Sequence, residues 1–123
     1  CKTGICRYSQ KLWYMTYEVI ITDQAEIDLK EIYEYIFYEL LSPDNASGQL
    51  DRLEKHIIEL EKFPEKFRLY KDEPWHSRGL RVMPVDNFLV FYVPNKNTGI
   101  VTVIRVMYEG RNIEKQLNNY TII

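Results

Sequence analysis

Apolar residues recur along this chain with two different periods, and the change from one to the other outlines its elements. "YEVIIT" (17–22) is short and rich in β-branched residues, which predicts a strand. From Ala25 the spacing lengthens. Ala25, Leu29, Ile32, Ile36 and Leu40 fall three and four apart, the stripe of an amphipathic helix, with Glu31, Glu34, Tyr38 and Glu39 mostly outward. Asp23 is expected to cap this helix, and Glu26 completes a capping-box-like signal. "SPDNA" stops it and starts another: Ser42 can cap, and Pro43 suits the first helical position, where no N–H is needed. Ala46, Leu50, Leu53, Ile57 and Leu60 carry the second stripe, which ends by Phe63–Pro64. So short a connection makes the two helices antiparallel neighbours.

Residues 64–78, "PEKFRLYKDEPWHSR", show no regular period and predict a surface loop pinned by Phe67, Tyr70 and Trp75. Loops of that length usually serve something. Strand character then returns in "GLRVMPV" (79–85), "FLVFYV" (88–93) and "IVTVIRVMY" (100–108), with Asp86–Asn87 as a two-residue turn. "GRNIEKQL" (110–117) predicts a short C-terminal helix. The order is β-α-α-β-β-β: an α+β fold, with an antiparallel sheet and a helical hairpin packed on one face.

Turn geometry predicts which side chains share a side of the sheet. A tight turn at Asp86–Asn87 sets Val85 opposite Phe88, Met83 opposite Val90, and Arg81 opposite Tyr92. The other side carries Leu80, Val82, Leu89, Phe91 and Val93. That set has no polar member, so it is expected to lie beneath the helices. Pairing Val93 with Ile100 brings Arg105 to the side of Arg81 and Tyr92, which is expected to be open. Met83, Phe88, Val90, Val101, Val103 and Met107 lie there too. An apolar patch of that size on a soluble chain awaits a partner.

Composition adds limits. The chain has 123 residues, 46% of them hydrophobic, enough for one domain with a single core. No apolar run is long enough for a membrane helix. Residues 1–14 hold both cysteines, Cys1 and Cys6, and three basic residues but no acid. They read as an extension ahead of a natural start at Met15, with 15–123 as the single domain. A core without cysteine fits a reducing cytoplasm. The net charge of −2 argues against indiscriminate nucleic-acid binding, but it is unevenly spread: −8 over residues 15–63 and +3 over 64–123. There is no phosphate-binding glycine loop, no Cys/His metal spacing and no nucleophile elbow, so no metal or cofactor is expected. His56, beside the second helical stripe, reads as a packed or solvated histidine.

In order and spacing, "AEIDLKEIYEYI", "SPDNA" with "LDRLEKHIIELEKFP", "GLRVMPVDNFLVFY" and "VIRVMYEGRNIEKQL" resemble the RelE/ParE superfamily of bacterial toxin–antitoxin toxins, over about residues 15–118. The resemblance implies one of two activities. RelE-like members are ribosome-dependent nucleases that cut mRNA; ParE-like members bind and poison DNA gyrase. Both are silenced by a cognate antitoxin. By the same resemblance Arg81 matches an often basic position, Tyr92 closes the "LVFY" segment, Tyr108 falls where many members carry His or Tyr, and Arg111 matches a frequent C-terminal arginine. Leu89 stands where the nucleases commonly have arginine.

RNA cleavage through the 2′-hydroxyl needs a base, positive charge for the phosphorane and an acid. The forked donors of arginine suit the second task, and a phenol or an imidazole can move protons. The candidate catalytic set is therefore Arg81, Arg105, Tyr108, Arg111, Tyr92 and His76. Antitoxin is expected to cover Met83, Phe88, Val90, Val101, Val103 and Met107. The function expected first is a type II toxin that cleaves mRNA on the ribosome. The alternatives are a gyrase inhibitor and a degenerate toxin that only binds antitoxin.

Overall fold

A computed structural model of the protein describes residues 17–121. The extension read at 1–14, with Cys1 and Cys6, lies outside the described residues. The elements run β1 (Glu18–Ile21), α1 (Asp23–Glu34), a π-helical turn (Tyr35–Glu39), α2 (Pro43–Glu59), β2 (Arg81–Val85), β3 (Phe88–Asn95), β4 (Ile100–Tyr108) and α3 (Ile113–Tyr120). The four strands form one sheet in the order β1-β4-β3-β2. β2, β3 and β4 are antiparallel, and β1 joins β4 in parallel. Among the described residues no helix is long and apolar enough to cross a membrane.

Local signals explain most element ends. Thr22, one residue before the expected cap, closes α1: its hydroxyl accepts from the Ala25 amide at 3.2 Å and donates to the Ile104 carbonyl at 3.1 Å. One side chain thus caps the helix and ties it to β4. Asp23 and Glu26 sit in the first turn, where the helix dipole favours acids. Pro43 opens α2 as expected, but the Ser42 side chain makes no capping bond. The π turn was not legible in the spacing. The Leu40 amide bonds back to the Tyr35 carbonyl at 3.2 Å, five residues away. The wider turn breaks the helical phase after Ile36. Leu40, expected in the stripe, is 56% exposed, and Tyr35 and Tyr38 are exposed beside it.

The sheet corrects the expected assignment of its two sides. The pairs Arg81 with Tyr92, Met83 with Val90 and Val85 with Phe88 form as predicted. However, the helical hairpin lies on their side. Ala25, Leu29, Leu53, Ile57 and Leu60 pack against Met83, Val85, Val90, Tyr92, Val101, Val103 and Val106. The opposite side, with Leu80, Val82, Phe91, Ile104 and Met107, is closed by Trp75 from the 64–78 loop and Leu117 from α3. The physical reason is that both sides are covered. An all-apolar set does not identify the helical side when neither side faces water. Met83, Val90, Val101, Val103 and Met107, expected as an exposed antitoxin surface, are at most 1% exposed; Phe88 is half-buried.

The β3–β4 register also departs from expectation. Asn95 pairs with Ile100, two residues further along β3 than the expected Val93. The Asn95 side chain accepts from the amides of Asn97 and Thr98, and Gly99 adopts φ +71°, so the turn closes over fewer residues. A β-bulge between Phe91 and Tyr92 then leaves Arg105 opposite Phe91 instead of Phe88. Bulges re-aim side chains, and this one decides where Arg105 goes.

Candidate functional site

The six residues expected to share one catalytic surface are dispersed. β1 ends at Ile21, so from Ile104 onward β4 has a bare edge, and α1 runs alongside it. Arg105 crosses that edge to Asp28. Its Nε donates to Asp28 Oδ2 at 2.7 Å and its Nη2 to Asp28 Oδ1 at 2.9 Å. The Val106 amide donates to Oδ2 at 3.0 Å, and Arg105 Nη1 reaches the Thr121 hydroxyl at 3.1 Å. The side chains of the pair are 7% and 4% exposed. A guanidinium so engaged ties α1, β4 and the C-terminal segment together.

Arg81 and Tyr92 pair across β2 and β3, toward the other edge of the sheet, and are equally occupied. Arg81 Nη1 donates to the carbonyls of Phe67 at 2.6 Å and Glu65 at 3.3 Å. The Tyr92 hydroxyl, fully buried, donates to the Pro64 carbonyl at 2.5 Å. Burial pushes its pKa up to about 12, against a smaller opposing pull from Arg81. A phenol held that firmly protonated is no proton acceptor near neutrality. Together these bonds pin the start of the 64–78 loop. His76 sits in that loop with Nδ1 2.9 Å from the Tyr70 carbonyl, a contact made when that nitrogen carries the proton. Its neighbour Trp75 belongs to the core on the far side of the sheet from the hairpin.

Of the exposed candidates, His76 stands in the loop, while Tyr108 and Arg111 come together at the end of β4. Tyr108 ends β4, 52% exposed, with its ring edge-on to Phe88 at 6.0 Å between centroids. The Arg111 amide donates to the Tyr108 carbonyl at 3.0 Å, which folds the chain so that the two lie close in sequence and space. The Arg81–Tyr92 pair stands four strand positions away from Val85–Phe88, about 13 Å along the sheet. The expected set is therefore split.

Tyr108 and Arg111 line a groove of about 990 Å³ that residue spacing did not reveal. Its apolar floor comes from Ile32, Ile36, Phe88 and Val106, with Tyr35 and Leu40 on the wall and Asp28 and Glu31 along the α1 side. The π turn builds that wall by turning Tyr35 and Leu40 out of the core. The far wall is held by the Asp86–Asn87 turn. Asp86, at φ +55°, accepts from Arg52 Nε at 2.8 Å and Gln49 Nε2 at 3.0 Å, and these bonds, Arg52 first, hold its carboxyl below the usual range. The Asn87 carbonyl accepts from the Glu109 amide at 2.9 Å, which locks the turn to the end of β4. Arg111 makes no ion pair among the described residues, so its charge faces whatever enters. Nor do the described residues hold a cluster of three His, Cys, Asp or Glu suited to a metal ion.

This architecture has known counterparts. The chromosomal ParDE toxin–antitoxin system of P. aeruginosa contains a chain that superposes with a TM-score of 0.62 at 17% identity, covering 76% of this chain and 96% of that one. The RelBE2 toxin–antitoxin complex of Mycobacterium tuberculosis gives 0.54 at 17% identity, covering 76% and 98%. The archaeal RelE–RelB complex of Pyrococcus horikoshii OT3 gives 0.52 at 19% identity, covering 78% and 98%. At these identities the likeness is one of fold. No curated protein matches the chain in sequence. The family model described as the ParE toxin of the type II toxin–antitoxin system, parDE, matches residues 19–113, well over half of the chain. The chain therefore belongs to the ParE toxin family of type II toxin–antitoxin systems.

Proposed function

We propose that this toxin acts by binding its target, as a ParE-like inhibitor of DNA gyrase, and that an antitoxin segment silences it by filling the groove. The observation that carries this reading is the commitment of Arg105, Arg81 and Tyr92 to buried or backbone-directed bonds. A nuclease needs cations and proton carriers converging on one phosphate. Of the six candidates only Tyr108 and Arg111 share an accessible surface among the described residues, and Leu89 occupies the position where the resemblance leads one to expect an arginine. A groove with an apolar floor and a cation at its mouth suits a polypeptide that carries apolar anchors and a carboxylate. Two of the similar structures are complexes of a toxin with its antitoxin.

Ribosome-dependent mRNA cleavage is the second reading, favoured by one feature: the phenol of Tyr108 and the guanidinium of Arg111 stand at the same exposed mouth. Induction of the chain in a bacterium lacking the antitoxin separates the two. Arrested growth with relaxed plasmid and intact mRNA is the expected result. Codon-phased mRNA cuts with normal supercoiling would overturn the proposal in favour of the second reading.

A further inference from the structure

Three of the chain's glycines, Gly79, Gly99 and Gly110, lie in turns. Gly79 (φ +84°) and Gly99 (φ +71°) occupy the left-handed region, where glycine is the natural residue. Gly110 does not, so its backbone makes no such demand. What it lacks is room for a side chain. A Cβ there would overlap Tyr108 Cε2, and would stand 3.0 Å from Cδ2 and 3.4 Å from Cζ. All three atoms belong to one ring, which lies folded back over the bare Cα. Its other neighbour is Phe88, met edge-on. With half its surface in solvent, the ring has little else to hold it.

We propose that Gly110 is the positioning residue for Tyr108: its missing side chain lets the phenol lie at the groove mouth, between Phe88 and the turn that leads to Arg111. The inference rests on the reading of Tyr108 as part of the working surface. The three atoms nearest an alanine Cβ at 110 all belong to the Tyr108 ring, so the ring, and not the backbone, must give way and swing to another rotamer. Gly110 therefore acts on the groove through the ring and touches no partner itself.

The test uses the full chain with Gly110→Ala, Tyr108→Ala and the double substitution. Each is measured for thermal midpoint, for nuclear Overhauser contacts between the rings at 108 and 88, and for growth arrest on induction without antitoxin. Gly110→Ala is expected to keep the wild-type midpoint, lose the contacts to Phe88 and weaken arrest as far as Tyr108→Ala does. The double variant should be no weaker than Tyr108→Ala alone, because the glycine serves the ring. Retained ring contacts in Gly110→Ala would overturn the proposal. So would full arrest by Gly110→Ala once the contacts are lost, or an added defect in the double variant. Full arrest by Tyr108→Ala would refute the working role of the phenol itself, and with it the claim that Gly110 serves that role, whatever the ring contacts show.

Discussion

Arg105→Ala separates a structural role from a catalytic one, and its cost follows from the geometry. The substitution leaves Asp28, 4% exposed, without its bidentate partner, and frees the Thr121 hydroxyl from its bond to Arg105. Removing one member of a buried ion pair costs about 3–5 kcal/mol, because the remaining charge stays desolvated. A domain of this size has a total stability of roughly 5–15 kcal/mol. The thermal midpoint should therefore fall by on the order of 10–20 °C. Asp28→Ala should cost at least as much, since the Val106 amide also loses its acceptor. That orphaned amide adds about 1–3 kcal/mol. Replacing both charges together, as Asp28→Leu with Arg105→Met, should recover much of the loss, because no unpaired charge remains. Thermal melts of the four proteins, beside growth arrest in cells, make the comparison. If Arg105→Ala abolished arrest while its midpoint stayed within a few degrees of wild type, the guanidinium would be a working group and the structural reasoning would be refuted.

Other expectations are more local. Tyr92 ionises at about 12 when folded, against 10.0 for the free side chain. The unfolded chain therefore gives up that proton first, so this contribution is whole below pH 10 and disappears as pH rises to about 12. The loss is on the order of 2–3 kcal/mol, and urea midpoints across the interval should show it in wild type and lack it in Tyr92→Phe. Arg111→Ala should reduce arrest at least tenfold in inducer dose, roughly the 1.4 kcal/mol of one lost charged contact, with an unchanged melt. Leu40→Glu, at an exposed wall position, should leave toxicity and melting intact yet prevent rescue by co-expressed antitoxin. Asp86→Asn, which suits the positive φ, should cost no more than about 1 kcal/mol in stability, because the pair with Arg52 is exposed, but should loosen the groove wall; hydrogen exchange at Asn87 and Glu109 reads this directly.

Periodicity carried the elements and their order, because helix and strand stripes are set by burial alone. It also carried the β2–β3 register, since a two-residue turn leaves no freedom. Three things escaped it for identifiable reasons. Which side of the sheet the hairpin takes is invisible when both sides are covered, as Met83 and Phe91 show equally. The π turn and the bulge each shift the phase of a stripe, and they moved Leu40 and Arg105 away from where strict spacing put them. Asp28 was the missed signal. With Ala25, Leu29 and Ile32 it completes a three-four spacing, so an acid sat on the inward stripe and asked for a buried cation. Of the expected catalytic residues, Tyr108 and Arg111 are the pair that meets on an accessible surface. The groove they border depends on a wall that no motif announces.

Purified toxin added to DNA gyrase and relaxed plasmid gives the most direct test of action by binding through Arg111 at the groove mouth. Wild-type chain is expected to block supercoiling, Arg111→Glu to restore it, and Arg81→Lys, chosen to keep a cation at its backbone carbonyls, to block as wild type does. Undiminished supercoiling in the presence of folded wild-type toxin, or equal inhibition by folded Arg111→Glu, would contradict that mode of action.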